Sequence, residues 1–345
     1  MWNRRRIVAG IAVIVVVAIF LGVTAYLIIE MKSTSVPKSS RLVLAFYYPW
    51  YGTPEGPTGI WRHWNEGGHY PDNFIDARRD LGSAHYPING PYDSKNKSLI
   101  AWHLKLAEEA GLDGFIVSWW GLGSFEDEVF KMMLDVAEEI STRVKLTIYY
   151  EQVSSTNISS IVYEFEEILR NYGGRKSFLR VEGRPVIFLY SRAISQIPLS
   201  AWDKIIREVR SDGYNALFIA HGMNVKYFDG IHIYNPAPSL PKLNLTEMYI
   251  FFRNLADKHG VIFAATVLPG YDDTNIRKPG LVYPRDNGST YNETWRAALA
   301  SNPDWILICS WNEWHEGTEI EPSVEYGYLY INLTRHYVKI FKEKS

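Results

Sequence analysis

Short runs of β-branched and aromatic residues alternate with stretches of helical periodicity along most of this 345-residue chain. That alternation is typical of α/β proteins, in which helices cover a largely parallel sheet. Eight runs have the composition of buried strands: 42–50, 114–120, 145–151, 184–191, 215–221, 230–236, 261–269 and 304–311. Eight strand–helix units predict a closed (β/α)8 barrel, the TIM barrel, over residues 41–345.

The alternative architecture is an open, doubly wound sheet. One unit of the barrel pattern is weak, because residues 223–229 hold barely two helical turns. A doubly wound sheet usually carries a glycine-rich phosphate-binding turn after its first strand, and the run YGTP at 51–54 is not such a turn. The sequence therefore favours the barrel.

The N-terminal segment differs from the rest of the chain. Residues 7–29 are uncharged and mostly apolar, and three arginines precede them at 4–6. At ~1.5 Å per residue such a helix spans ~34 Å, enough to cross a bilayer, whereas the apolar part of a cleaved signal peptide is shorter. We expect a cytoplasmic N-terminus at 1–6, one transmembrane signal anchor at 7–29, a linker at 30–40 and a barrel on the extracytoplasmic side.

Composition excludes some classes of function. The formal net charge is −2, with acidic and basic residues mixed, so no basic surface for nucleic acid is expected. The single cysteine, Cys309, lies in an apolar run and is expected to be a buried small residue, with a catalytic thiol as the less favoured alternative. Aromatic residues make up 14% of the chain, which suits the apolar faces of sugars but is equally explained by a large core.

Acids and aromatic residues gather at the carboxyl ends of the predicted strands, the end at which barrel enzymes build their active sites. These residues include Glu151, Tyr234 and, after the eighth strand, Glu313 and Glu316. The first connection, residues 51–95, is also long enough to be functional. A sugar-binding site at this rim is the interpretation that these strand ends favour.

Glu313 and Glu316 lie close enough in sequence to act on one bond. Cleavage of a glycoside uses one carboxyl group to protonate the leaving oxygen and a second to generate or act as a nucleophile. Trp311 and Trp314 beside them would exclude water from the pair, and this environment could give the two glutamates different pKa values. A solvated acidic loop is the alternative.

Other hydrolytic chemistries have weaker support. His315-Glu316 is not followed by the second histidine of a zinc-protease helix, and the nine histidines have no tight ligand spacing. No Gly-x-Ser-x-Gly turn indicates a serine hydrolase. We therefore expect neither a metal nor another cofactor.

At these motifs the sequence resembles the endo-α-mannosidases of glycoside hydrolase family 99. The resemblance covers most of residues 43–340. The motifs that carry it are FYYPWYG at 46–52, GPY at 90–92, SWWG at 118–121, FDGI at 228–231, PGYDDT at 269–274 with Ile276-Arg277, and WNEWHEGTEIE at 311–321.

The resemblance implies a retaining α-mannoside hydrolase that cleaves inside a glycan without a metal. It implies that Glu313 removes the proton from the sugar's own 2-hydroxyl, so that a 1,2-anhydro sugar forms, and that Glu316 acts as general acid and then as base. It further implies that Glu151 is a carboxylate of the site and that three residues line the sugar subsite: Tyr48, Trp120 and Tyr234. Arg285 falls near an arginine of the family and is expected to bind substrate.

Some positions depart from the family pattern. Trp311 stands where phenylalanine is common, Glu319 stands where glutamine is usual, and residues 154–157 and 278–284 differ. The catalytic pair is intact, whereas these differences affect the leaving-group side and hence the substrate.

Three hypotheses follow for function. The first is an endo-acting α-mannosidase on the outer face of a membrane, acting on a mannose-containing oligosaccharide or polysaccharide. The second is a hydrolase of a different surface or lipid-linked glycan on the same barrel. The third is a non-catalytic glycan-binding protein, which the intact glutamate pair disfavours.

Overall fold

The computed structural model describes residues 41–239 and 244–343. The predicted cytoplasmic segment, anchor and linker, residues 1–40, lie outside the described residues and stay predictions. Within the described ranges, no helix combines the length and the apolar composition that a membrane crossing needs.

Eight parallel strands form the centre of the fold. They are β1 Leu42–Tyr47, β2 Gly114–Trp119, β3 Lys145–Tyr150, β4 Arg184–Leu189, β5 Leu217–His221, β6 Gly230–His232, β7 Ile262–Val267 and β8 Trp305–Ile308. Each strand pairs with the next along the chain, and β8 pairs with β1, which closes the sheet on itself. The predicted TIM barrel is confirmed, and the open sheet is not formed.

Eight α-helices in the described part of the chain surround the strands. They are α1 Lys97–Glu109, α2 Phe125–Glu139, α3 Ile158–Asn171, α4 Ser191–Gln196, α5 Leu199–Ser211, α6 Leu245–His259, α7 Ser289–Ala300 and α8 Leu329–Glu343. Several begin at a residue whose side chain accepts hydrogen bonds from the first backbone N–H groups, for example Asn96 at α1 and Asn244 at α6. Residues 222–229, all of them described, contain no helix, which explains the weak periodicity there.

Seven of the eight observed barrel strands end before the predicted ones, and β5 ends at His221 as predicted. β1 ends at Tyr47 rather than at Trp50, and β8 ends at Ile308 rather than at Trp311. The apolar and aromatic run continues, but the backbone leaves the sheet and turns across the top of the barrel. These extra residues build the rim.

Side chains alternate along each strand between two apolar layers. In β1, Val43 and Ala45 belong to the core between strands and helices, whereas Leu44 and Phe46 are buried inside the barrel. Inside, the Phe46 ring lies 4.8 Å from Tyr149 and 5.0 Å from Tyr234, measured between ring centroids. Aromatic packing therefore fills the barrel up to the rim. Cys309 is buried without a disulfide partner, as predicted.

Candidate active site

A cavity of about 470 Å³ opens at the carboxyl ends of the barrel strands. Its walls come from residues that directly follow different strands. Six of the seven predicted site residues line it: Tyr48 after β1, Trp120 after β2, Glu151 after β3, Tyr234 after β6, and Glu313 and Glu316 after β8. The long connection between β1 and α1 adds Arg62, His63 and Glu66, so this loop contributes to the site as expected.

The two glutamates are carried by a tight turn after β8. Trp314–Glu316 form one turn of 3₁₀ helix, and Gly317 ends it with a left-handed φ of 56°. A Cβ atom at Gly317 would lie 2.9 Å from the Cβ of Ala84 and 3.1 Å from the carbonyl oxygen of Asp272. Glycine is thus required by both conformation and space. The turn begins at Glu313, whose N–H donates to Ser310 Oγ at 2.8 Å.

Glu313 and Glu316 occupy different electrostatic environments. Burial, reinforced by the nearby Glu316, raises the pKa of Glu313 well above its usual value. Burial also raises the pKa of Glu316, but Arg277 opposes this shift by donating to Glu316 Oε1 at 3.1 Å. One oxygen of each carboxyl group, Glu313 Oε1 and Glu316 Oε2, has no hydrogen-bond partner among the described residues. Glu313 is buried and Glu316 is partly buried, and each contributes to one cavity a carboxyl oxygen without a hydrogen-bond partner among the described residues.

A third carboxyl group lies across the cavity. Glu151 is buried and accepts a hydrogen bond from Ser118 Oγ at 2.8 Å, while Trp120 Nε1 donates to the same hydroxyl at 3.0 Å. Burial raises the pKa of Glu151 to about 7. The guanidinium of Arg192 lies 4.8 Å from the centroid of the Trp120 ring. The hydrogen bond and the cation–π contact together fix the orientation of the indole.

Two tyrosines form the floor between these groups. The hydroxyl of Tyr48 donates to that of Tyr234 at 2.5 Å. The backbone of Tyr48 is held from both sides by Asn312, whose Oδ1 accepts from its N–H at 2.7 Å and whose Nδ2 donates to its carbonyl at 2.9 Å. Burial raises the pKa of both phenols well above their usual value, so they remain neutral hydrogen-bonding groups. Asn312 thereby couples the end of β1 to the turn that carries Glu313.

Comparison with known proteins identifies the family. Residues 39–339 match the family model described as Glycosyl hydrolase family 99. The chain belongs to glycosyl hydrolase family 99. It is therefore a glycoside hydrolase, and the hypothesis of a non-catalytic glycan-binding protein is set aside.

Several members are similar over most of their length. The chain is 29% identical to a glycoprotein endo-alpha-1,2-mannosidase of Mus musculus over 331 residues, covering 86% of this chain and 71% of that protein. It is 28% identical to a glycoprotein endo-alpha-1,2-mannosidase-like protein of Homo sapiens, covering 87% and 76%. Among solved structures, the GH99 endo-alpha-mannosidase from Bacteroides thetaiotaomicron aligns with a TM-score of 0.75 and 27% identity, over 87% of this chain and 97% of that one.

One predicted site residue of this family 99 enzyme lies elsewhere. Arg285 is buried beneath the turn after β8 and does not line the cavity. Its guanidinium donates to the carbonyl oxygens of Gly317 and Glu319 at 3.1 and 2.7 Å, and to Glu319 Oε1 at 2.6 Å. Through its Nη2 group Arg285 supports the backbone of the turn, and its predicted role in substrate binding stays a prediction.

Other residues of the family 99 site had no role assigned from the sequence. Arg277 follows β7 and binds both Glu316 and Asp273, the latter at 2.7 Å. Its presence in the family-like run at 271–277 was the available signal. His63, Glu66 and His315 also line the cavity, and neither their spacing nor their surroundings in the sequence indicated that they meet.

Proposed function

We propose that the chain is an endo-acting α-mannosidase that cleaves α-mannosidic linkages inside a glycan with retention of configuration. Its membership of family 99 and its similarity to endo-α-mannosidases support this substrate class. We further propose that residues 7–29 anchor it in a membrane, with the catalytic domain, residues 41–345, on the extracytoplasmic side. The observation that carries the proposal is the pair Glu313, which is buried, and Glu316, which is partly buried, each with one carboxyl oxygen in the cavity that has no hydrogen-bond partner among the described residues.

In the proposed first step, the carboxylate of Glu313 accepts the proton of the sugar's 2-hydroxyl. The 2-oxygen attacks the anomeric carbon, the bond from that carbon to the leaving oxygen breaks, and the carboxyl group of Glu316 protonates the leaving oxygen. The product of this step is a 1,2-anhydro sugar and a free alcohol. A desolvated cavity suits this step because proton transfers between well-oriented groups are favoured there.

In the second step, a water molecule opens the anhydro ring. Glu316, now ionised, removes the proton from water as its oxygen attacks the anomeric carbon, and Glu313 returns its proton to the 2-oxygen. Each step inverts the anomeric carbon, so the overall result is retention. Both glutamates end in their starting protonation states, and no other reactant is needed.

The surrounding residues suit the binding of a mannose unit. Trp120 offers an oriented aromatic ring, a surface on which the C–H face of a sugar packs. Tyr234 offers a neutral hydroxyl donor, Tyr48, whose proton is donated to Tyr234, offers an acceptor oxygen, and Glu151 is an acceptor when ionised. Arg277 beside Glu316 holds the general acid in one rotamer through the ion pair and stabilises its anion after proton transfer.

The pKa shifts of the two glutamates favour the opposite assignment of the proton from the one in the proposed reaction. The pKa of Glu313, the proposed base, is raised the more strongly, whereas Glu316, the proposed acid, has the cationic partner. The roles of the two glutamates are therefore assigned by a kinetic test.

Substrate type is tested first, by incubating the purified enzyme with a panel of α-mannans and identifying the products by mass spectrometry. Release of oligosaccharides longer than one sugar supports an endo-α-mannosidase, and cleavage of other glycans alone would contradict it.

The two roles are tested by varying the leaving group. Fluoride needs little protonation on departure, so Glu316→Gln should retain far more activity on a mannosyl fluoride than on a mannoside, where loss of the general acid costs ~10²–10⁴-fold. Glu313→Gln should lose most of its activity on both substrates, because activation of the 2-hydroxyl does not depend on the leaving group. The control is Glu325→Gln, a glutamate outside the cavity that pairs with Arg78. If only Glu313→Gln recovered activity on the mannosyl fluoride, Glu313 would be the general acid and Glu316 the base.

A further inference from the structure

Three potential metal ligands meet at one wall of the cavity. His63 and Glu66 come from the loop between β1 and α1, and His315 comes from the turn after β8. His63 Nδ1 lies 2.8 Å from Glu66 Oε1, and His315 Nδ1 lies 3.8 Å from Glu66 Oε2. Glu313 Oε1 is a fourth donor, 3.8 Å from the same His315 nitrogen.

The tautomer of His315 directs a lone pair into this group. Its Nε2 lies 2.6 Å from the carbonyl oxygen of His63, and since a carbonyl only accepts, Nε2 carries the proton. With the proton on Nε2, the neutral imidazole has its lone pair on Nδ1. A metal-binding histidine typically donates its second N–H to a backbone carbonyl in this way. The Nδ1 lone pair therefore faces the oxygens of Glu66 and Glu313.

His63 gives a second, independent indication. Its backbone adopts a left-handed φ of 61°, unusual for a residue with a side chain, and its ring stacks on Trp50 with centroids 4.5 Å apart. The packing holds the ring still, yet its buried Nδ1 has no partner in hydrogen-bond geometry, because Glu66 lies near it but off the N–H direction. Glu313 Oε1 is a second buried atom without a partner.

The spacing of these atoms suits a small tetrahedral ion. Ligands bound at about 2.1 Å in a tetrahedron are about 3.4 Å apart. One donor atom from each of His63, Glu66 and His315 lies within 4.8 Å of the other two. Two imidazoles and a carboxylate are ligands typical of Zn²⁺, whereas Mg²⁺ and Ca²⁺ prefer oxygen alone.

We propose that His63, Glu66 and His315 bind a divalent transition-metal ion of the Zn²⁺ class, and that Glu313 Oε1 completes the site. A carboxylate that is bound to the ion cannot accept the proton of a sugar hydroxyl, so occupancy inhibits hydrolysis. The inhibitory part rests on the proposed function of Glu313, whereas the binding part does not. Zinc would thus act as a reversible inhibitor that binds beside Glu313 in the cavity.

Binding is tested with zinc chloride alone, in the absence of any glycan. The full chain in detergent, stripped by chelation, should bind one Zn²⁺ per chain by isothermal titration and by metal analysis after gel filtration, and it should not bind Mg²⁺ comparably. His63→Ala and Glu66→Gln should each weaken zinc binding by about 100-fold or more, since even loss of an outer-shell partner costs about 10- to 100-fold.

The matched control is His69→Ala in the same loop, where His69 contacts Asp80 rather than the cluster. This variant should bind zinc as the unaltered chain does. X-ray absorption of the zinc-loaded protein should indicate four nitrogen and oxygen ligands. Absence of stoichiometric binding, or equal binding by His63→Ala, Glu66→Gln and the unaltered chain, overturns the site.

Inhibition is measured separately as the ratio of mannan hydrolysis with and without zinc for each variant. The ratio should fall with zinc in the unaltered chain, recover on adding EDTA, and stay near one for Glu66→Gln at the same concentration. Zinc binding without inhibition overturns the inhibitory part. Zinc binding by a protein that cleaves no α-mannan contradicts the proposed function and leaves the metal site supported.

Discussion

The glutamate carboxyl groups in this cavity differ in how readily they ionise, because each has different neighbouring side chains. Glu316 has an ion pair with Arg277, Glu151 has a serine hydroxyl, and Glu313 has one oxygen without a hydrogen-bond partner. Glu151 and Glu313 are buried and Glu316 is partly buried, and desolvation raises the pKa of each. A single hydrogen-bond donor beside one carboxyl group is sufficient to make its pKa differ from those of the others.

Glu151 provides a prediction on stability. Its pKa is raised from 4.5 to about 7, so the folded chain binds this proton more tightly than the unfolded chain. Stability from this group is fully present below about pH 4.5 and is lost as the pH rises to about 7. Glu151→Gln keeps an acceptor for Ser118 and removes the titration. Its free energy of unfolding relative to the unaltered chain should therefore rise by up to about 3 kcal/mol between pH 4.5 and 8.

Urea denaturation at several pH values measures this difference. The control is Glu139→Gln, an exposed glutamate near Lys97, which should follow the pH profile of the unaltered chain. Parallel profiles for Glu151→Gln and the unaltered chain would contradict an elevated pKa at Glu151.

At the scale of elements, the turn after β8 is held by side chains from the loop between β1 and α1. Tyr92 OH donates to Glu321 Oε2 at 2.8 Å and accepts from Trp314 Nε1 at 3.0 Å. The Tyr51 hydroxyl, at 3.1 Å, donates to the carbonyl of Asn312. These bonds are buried, where a lost partner costs about 1–3 kcal/mol. The position of the glutamate pair thus depends on two segments that are far apart in sequence.

Gly317→Ala should reposition Glu316. Its added Cβ meets Ala84 and the backbone of Asp272 at a left-handed φ, so the turn has to shift. Because a displacement of about 1 Å at a catalytic group costs on the order of 10²-fold, we expect kcat to fall by about that factor.

Gly327→Ala is the matched control for this turn. Gly327 has a similar φ of 52°, but an added Cβ there meets nothing within 4 Å. It should lose only about 1 kcal/mol of stability or less and keep its kcat. Steady-state kinetics and thermal unfolding of both variants make the comparison, and equal kcat values would contradict the crowding argument.

At the scale of the whole molecule, the barrel gathers functional groups from the ends of separate strands. The strands from β1 to β8 each pair with neighbours on both sides, so the sheet has no open edge among its eight barrel members. Such a closed sheet holds the rim rigidly while its loops vary. The segment before residue 41 is not needed to complete this sheet.

Removal of residues 1–32 should accordingly leave a soluble and active enzyme. Every residue of the candidate site lies after residue 47, and the predicted anchor is the part that is deleted. We expect the shortened chain to remain in the supernatant after membranes are sedimented and to keep the kcat/KM of the detergent-solubilised full chain. A shortened chain that is folded but inactive would mean that the N-terminal segment contributes to the site.

Local patterns in the sequence determined the strand–helix alternation and the pairing of Glu313 with Glu316. The alternation depends on periodicity within single elements, and the glutamates share one turn, so both are visible over a few residues. Similarity to a family supplied Tyr48, Trp120 and Tyr234, whose meeting depends on the closed barrel. The same similarity pointed to Arg285, which in the structure does not line the cavity and binds the turn after β8 instead.

Only the tertiary structure decided which distant groups touch. His63 and His315 are 252 positions apart, yet His315 Nε2 lies 2.6 Å from the His63 carbonyl because the first loop folds over the last strand end. Arg277 reaches Glu316 across 39 positions for the same reason. Hydrogen bonds and metal coordination depend on separations of a few ångströms, which sequence spacing does not specify once the chain has passed through another barrel unit. Local periodicity determines which elements form, and barrel closure determines which side chains come within bonding distance.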